Sequence, residues 1–403
     1  MKYVTVLCDG MADRNIKELG DITPMTKAYK PYMDMLASKA EVGMVKTVPD
    51  GFKPGSDVAN LSVMGYDPEK CYTGRSPLEA AGIGIALKPT DVTLRCNFVT
   101  LSDNEPNYED KILIDYCAGD ISTDEAKILV EYLKKPFDND EFTLNPGISY
   151  RHCLVWNNGD PEPGIITPPH DITGRCIKEY IPVGRSVDKL YAMMKRSYEL
   201  LKNHPVNLSR IKNGKNPANS VWFWGEGTAP KLESFENKFG LTGSVISAVD
   251  LLKGIAACAQ MGHPDVEGAT GYIDTNFSGK LEAAVKELDS GKDFVYIHLE
   301  APDECGHRGE LENKIKSIEL IDRLIIKPLL EHLERTGDYA VLICPDHPTP
   351  LEIRTHSSEP VPYLIYKSNR EVNSGVSLFS EENAAKTGTY IEKGYTLIER
   401  LIK

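Results

Sequence analysis

Two short segments of the chain set an acid beside a histidine in a way that metal chemistry can use. In Asp303-Glu304-Cys305-Gly306-His307 the two residues are four apart. On a helical turn that spacing points both side chains the same way, so both can reach one cation. The segment also reads as an ordinary helix N-terminus with Asp303 as its cap. Asp346-His347 directly follows the apolar run Tyr339 to Ile343 and reads as a ligand pair or as a polar turn. His356 lies nine residues further on, in a polar loop. Asp9 closes the apolar run Tyr3 to Leu7 and fits a cap, a catalytic acid or a ligand.

Taken together, these six residues form a mixed oxygen and nitrogen set of three carboxylates and three imidazoles. Such a set suits Mn²⁺, Zn²⁺ or Co²⁺ better than Ca²⁺, which prefers oxygen alone. Six protein ligands are too many for one catalytic zinc that keeps an open position, whereas two metals about 3.5–4 Å apart fit the count. Without cations between them, carboxylates meeting at one place would repel one another.

Ser56, in Pro54-Gly55-Ser56-Asp57-Val58-Ala59-Asn60-Leu61, stands where a loop enters a helical segment. It reads either as a plain N-cap or as a nucleophile. In the second reading a metal activates its hydroxyl for attack on a phosphoryl group, and helix N–H groups favour the anion.

A parallel sheet gathers such groups, because functional side chains collect beyond the carboxyl ends of its strands. Tyr3 to Leu7, Phe294 to Leu299, Tyr339 to Ile343 and Pro362 to Tyr366 read as buried strands. Helical patterns cover Ser247 to Met261, Lys280 to Leu288 and Leu311 to Glu334. This alternation predicts an α/β fold with a mostly parallel sheet flanked by helices. The stretch 88–183 differs. Its short alternating segments (Val92 to Thr100, Ile112 to Tyr116, Tyr150 to Trp156) are separated by Asp, Asn, Pro and Gly clusters. It is expected to be a smaller α+β domain inserted into a core made of 1–87 and 184–403. Gly214-Lys215-Asn216-Pro217 reads as a turn before a further strand from Ser220 to Trp224.

Composition narrows the function classes. A net charge of −13 disfavours nucleic acid as a partner. No apolar stretch approaches the roughly 20 residues that cross a bilayer, and the N-terminus reads as a strand, so a cytoplasmic protein without a membrane partner is expected. Nine cysteines lie scattered with no CxxC pair, which fits reduced thiols better than disulfides or a structural zinc cluster.

Several ordered motifs go further. Cys8-Asp9-Gly10-Met11-Ala12-Asp13, Gly55-Ser56-Asp57-Val58-Ala59-Asn60-Leu61, Thr73-Gly74-Arg75-Ser76-Pro77-Leu78-Glu79-Ala80, Pro302-Asp303-Glu304-Cys305-Gly306-His307, Pro345-Asp346-His347 and Thr355-His356-Ser357 span the chain. In type and order they resemble the cofactor-independent phosphoglycerate mutases of the archaeal-type branch, within the alkaline phosphatase superfamily. The resemblance implies one metal held by Asp303, His307 and His356, and another held by Asp9, Ser56, Asp346 and His347. The metals would be divalent, manganese first, with cobalt, zinc or magnesium substituting. Ser56 would carry a phosphoryl group between the 3- and 2-hydroxyls of glycerate, so the partner is a small phosphorylated hydroxy acid. The inserted domain would act as a lid that excludes water and binds substrate. Its candidate contacts are Arg151, His152, His170, Asp171, Arg175 and Arg95, with Lys215 outside it. Homoserine kinase-like transfer and metal-dependent phosphatase activity are the competing functions. The absence of a GxxxxGKS loop favours the mutase over the kinase.

Overall fold

The computed structural model describes all 403 residues, which form two compact units. One consists of Met1–Tyr72 and Lys231–Lys403, and the other of Thr73–Pro230. The chain holds twelve strands: β1 (Lys2–Cys8), β2 (Glu41–Val45), β3 (Val92–Leu101), β4 (Leu113–Asp115), β5 (Phe142–Asn145), β6 (Arg151–Trp156), β7 (Ser220–Thr228), β8 (Gly243–Ile246), β9 (Phe294–Leu299), β10 (Tyr339–Cys344), β11 (Val361–Lys367) and β12 (Tyr390–Ile391).

The larger unit is built on a seven-stranded sheet in the order β12-β2-β11-β10-β1-β9-β8. Strand β1 lies between β9 and β10, parallel to both, and β8 continues the parallel run beyond β9. These strands are apolar on both faces because helices cover both sides. Val4, Val6, Val295, Ile297, Val341 and Ile343 are completely buried, together with Ile318 and Leu329 from the helical layer. Each such side chain contributes about 1.5–3 kcal/mol by leaving water.

The sheet is mixed, since β11 runs antiparallel to β10 and to β2. This departure from a uniformly parallel pattern serves the site. A connection between antiparallel neighbours begins and ends on one sheet edge. Residues 345–360 therefore stay at the edge where β1, β9 and β10 end. The expected helix from Leu311 to Glu334 also forms with a difference. It runs as Leu311–Ile321 and Lys327–Leu333, joined by a π-helical turn at Asp322–Ile326. Pro328 offers no N–H to continue the regular ladder.

The second unit is wider than the 88–183 expected from sequence, starting at Thr73 and ending at Pro230. Strand β7 causes most of the difference, pairing antiparallel with β3 from Val92 to Val99. The helix Asp188–Leu201 packs Leu190, Met194 and Leu201 into the same core. At the other end, the helix Arg75–Gly82 joins through a hydrogen bond from Ser76 Oγ to Thr93 Oγ1 of 2.7 Å. No helix of the chain is long and apolar enough to cross a membrane. The nine cysteines are unpaired.

Candidate metal centre

Three parallel strands deliver the first acids. Register sets Cys8 of β1 opposite Leu299 of β9, and Leu7 opposite Cys344 of β10, so the segments after these strands emerge side by side. Gly10 turns the chain sharply with φ +61, and a Cβ there would lie 2.6 Å from Asp303 Cα and from Thr349 Oγ1. Only glycine tolerates both the left-handed conformation and that approach.

Asp9 is 2% exposed and its two oxygens differ in their surroundings. Oδ2 lies 2.9 Å from His298 Nε2 and 3.5 Å from Ser56 Oγ. Oδ1 is buried with no hydrogen-bond partner and stands 3.6 Å from His347 Nε2. Asp346 Oδ1 accepts the N–H groups of Gly10 (3.1 Å) and His347 (2.8 Å), and its Oδ2 accepts the Asn60 amide at 2.9 Å. His347 Nε2 is 3.4 Å from that same Oδ2.

Asp303 sits in the helix Ala301–Arg308, whose N-cap is Glu300, so Asp303 is not its cap. His307 Nε2 lies 3.2 Å from Asp303 Oδ2 and 3.0 Å from His356 Nε2. The His307 Nδ1–H donates to the Arg354 carbonyl (3.1 Å), which leaves Nε2 aimed at the acid. His356 Nε2 is 3.5 Å from Asp303 Oδ1, which also accepts the Thr349 hydroxyl. The rings of His347 and His356 are 4.0 Å apart, and ligand atoms of Asp303, His347 and His356 all lie within 4.8 Å of one another. Those of Asp9, Asp346 and His347 do the same. His347 thus borders both groups, a sharing not foreseen from the sequence.

Ser56 opens the helix Ser56–Val63, but Gly55 is the N-cap, so the hydroxyl does no capping. Instead Ser56 Oγ lies 3.2 Å from His347 Nε2. All seven residues expected as ligands or nucleophile therefore meet at one sheet edge. Sequence reading missed His298, Asn60 and Thr349. His298 and Asn60 lie inside apolar-looking elements, where nothing local distinguishes them from core residues.

The electrostatics fit divalent cations. Burial, and after it the Asp346, Asp303 and Glu300 carboxylates, push Asp9 well above the usual carboxylate range. Burial opposes ionisation of Asp303 as well, yet hydrogen bonds from His307 and His356 hold it well below that range. In return, Asp303 raises His307 to about 9. Burial lowers His347, keeping it neutral as a ligand must be. An orphaned acid oxygen among three buried carboxylates and three imidazoles is a donor set that divalent cations would neutralise.

In the second unit, Arg95 on β3 lies 4.1 Å over the ring of Trp224 and pairs with Glu79 (2.9 Å), which also holds Arg75 at 2.7 Å. His170 stands 5.1 Å from the Trp224 ring, with Asp171 beside it at 3.6 Å. Arg151 is exposed at the start of β6. His152 must be corrected. Strand alternation turns it to the opposite face, where it is 6% exposed and edge-on to Phe98, so it is a core residue. Arg175 reaches the Tyr180 hydroxyl (3.0 Å), and Lys215 lines a polar depression with Asp120 and Arg210.

Comparison with known proteins gives the family. A family profile described as 2,3-bisphosphoglycerate-independent phosphoglycerate mutase matches residues 37–207. A probable enzyme of that name from Geobacter sulfurreducens is 48% identical over 402 residues, covering 100% of both chains. The chain belongs to this mutase family. A Methanosarcina barkeri member is 46% identical over 404 residues, again covering 100% of both chains. Among solved structures, a Pyrococcus horikoshii protein superposes with a TM-score of 0.83 at 30% identity, covering 100% of this chain and 96% of its own. The cofactor-independent phosphoglycerate mutase of Thermoplasma acidophilum gives 0.65 at 27% identity, covering 100% and 98%.

Proposed function

We propose that this mutase interconverts 3-phosphoglycerate and 2-phosphoglycerate through a phosphoserine at Ser56. The observation that carries the reading is the Ser56 hydroxyl standing 3.2 Å from His347 Nε2 beside the buried acids Asp9 and Asp346. Asp303, His307 and His356 would hold one divalent cation, and Asp9, Ser56, Asp346 and His347 the other, with Mn²⁺ as the preferred ion. When bound, such cations acidify a hydroxyl and screen phosphoryl charge.

Ser56 Oγ gives up its proton and bonds to phosphorus while the bond from phosphorus to O3 of glycerate breaks and O3 takes a proton. In the second half O2 loses a proton and bonds to phosphorus as the bond to Oγ breaks and Ser56 is reprotonated. The N–H groups that open the helix Ser56–Val63 favour the anion throughout. To the inserted unit we assign the lid role and recognition of the substrate carboxylate, through Arg95 and Arg151. Arg95 suits this because Glu79 and Trp224 hold its guanidinium in place.

An enolase-coupled assay on purified protein tests the proposal. Formation of 2-phosphoglycerate that stops with chelator and returns with Mn²⁺ supports it. Inorganic phosphate as the main product would assign a phosphatase instead, and ATP-dependent phosphorylation of homoserine a kinase.

A further inference from the structure

One buried side chain at the centre has no part in the scheme above. His298, on β9, is completely buried. Its Nδ1 lies 3.1 Å from Ser247 Oγ, and its Nε2 2.9 Å from Asp9 Oδ2. Ser247 Oγ accepts the Val249 N–H at 3.0 Å and has its own proton available to donate to Nδ1. With Nδ1 as acceptor, the ring proton sits on Nε2 and points at a carboxylate that only accepts. The ionised form of Asp9, which a bound cation favours, thus selects the tautomer with the proton on Nε2. The backbone on which the ring sits is pinned too, since the buried Lys280 ammonium donates to the His298 carbonyl at 3.3 Å.

We infer that His298 is the positioning residue for Asp9: its Nε2–H secures Oδ2, which leaves Oδ1 as the single oxygen presented to a cation. This deepens the two-cation reading and rests on it. The asymmetry of the acid is what points there. One oxygen is held by an imidazole, while the other is buried with no hydrogen-bond partner and stands 3.6 Å from His347 Nε2. A carboxylate free on both sides could rotate or chelate through both oxygens. Fixed by a donor behind it, the same group is preorganised to offer one, as outer-shell partners do for ligands in metal sites. His298 is not a ligand in this assignment, because its one acceptor nitrogen faces Ser247 and its proton faces Asp9.

The test uses the full chain with Mn²⁺ alone, titrated calorimetrically with free ion counted by electron paramagnetic resonance. Glutamine places an amide donor near the position of Nε2, whereas asparagine is too short. His298→Gln should keep both equivalents within about threefold of the parent affinity, while His298→Asn weakens one by roughly 10- to 100-fold and spares the other. Ser247→Ala, which releases the tautomer without touching β9, should weaken that same equivalent by a smaller factor. Equal affinities in the Gln and Asn variants would overturn the inference, whether both are intact or both impaired. Disappearance of a whole equivalent in the Gln variant would make His298 a ligand and overturn it as well. A parent chain that binds no Mn²⁺ at all would sink the two-cation reading and this assignment with it.

Discussion

Ser56 Oγ and His347 Nε2 lie 3.2 Å apart, although 291 residues of chain separate them. The serine sits at the first turn of its helix and is released from capping by Gly55, so its hydroxyl is free for chemistry. Ser56→Ala should lower mutase turnover by roughly 10⁴-fold or more, as loss of a covalent nucleophile does. Mn²⁺ binding should persist, since the acids and imidazoles remain. Acid-quenched protein analysed by mass spectrometry should show phosphate on Ser56 in the parent and none in the variant. A variant that retains turnover would remove Ser56 from the mechanism.

Cation binding should be linked to a proton at His307. Asp303 raises this imidazole to about 9 in the metal-free chain, so at neutral pH it carries a proton that a cation must displace. Proton binding stabilises the metal-free fold below the ordinary imidazole range, and that contribution is lost as pH rises through about 9. Mn²⁺ affinity should therefore climb with pH up to that point, by up to about tenfold per unit for one displaced proton. Calorimetry in buffers of different ionisation enthalpy reads the release directly. Asp303→Asn should both weaken binding and move the proton linkage to lower pH. Affinity that is flat from pH 6 to 9 would contradict the pairing.

Gly10 offers a test of how closely the β1 edge approaches the Asp303 helix. Its φ of +61 and the 2.6 Å separation of a built Cβ from Asp303 Cα leave no room for a side chain. Gly10→Ala adds left-handed strain of about 1–2 kcal/mol and pushes Asp303 away from Asp9. The variant should melt at lower temperature and lose cation affinity more steeply than stability. Unchanged binding would show that this approach is not needed.

Much of this arrangement is legible in the chain because the signals are local. Tyr3 to Leu7, Phe294 to Leu299 and Tyr339 to Ile343 are apolar, β-branched-rich runs that end in acids, and each forms a strand ending at the site. The ligands follow those ends or sit on one helical turn, so residue type and spacing reveal them. Other features depend on distant partners. Nothing near Pro362 indicates that β11 runs antiparallel, because direction is decided by the neighbours it pairs with. The end of the inserted unit at Pro230 follows from β7 pairing with β3, more than a hundred residues earlier. His152 was misread for a similar reason. Beside Arg151 it looks like half of a substrate motif, but a period of two turns it into the core.

Arg95 should act on substrate and leave the metal centre alone. Its guanidinium is fixed by Glu79 at 2.9 Å and by the Trp224 ring at 4.1 Å, a geometry that lysine cannot reproduce. Arg95→Lys should raise KM for 3-phosphoglycerate about tenfold or more while Mn²⁺ affinity stays constant. Glu79→Gln should move KM in the same direction, because it removes the charge that holds Arg95 and Arg75. Steady-state kinetics alongside Mn²⁺ titration separates the two effects. A KM unchanged in both variants would take Arg95 out of the recognition set.

Asn60 ties the serine helix to the acid at the end of β10, and its amide is fully used. Nδ2 donates to the Ser56 carbonyl (2.9 Å) and to Asp346 Oδ2 (2.9 Å), while Oδ1 accepts the Tyr296 hydroxyl at 2.6 Å. Tyr296→Phe strands Oδ1 in a dry interior at a cost of about 1–3 kcal/mol, and the amide cannot flip to escape because its oxygen would then face Asp346. Denaturant unfolding should show that loss while Mn²⁺ affinity changes little, since Asp346 keeps its donor. Asn60→Asp is predicted to be worse on both counts. It replaces the donor to Asp346 with a fourth buried carboxylate, so both stability and affinity should fall, and excess cation should recover part of the stability. The order parent, Tyr296→Phe, Asn60→Asp should hold for stability, and for Mn²⁺ affinity only the last should depart from the parent. An Asn60→Asp chain that binds Mn²⁺ as tightly as the parent would show that the amide does not brace Asp346.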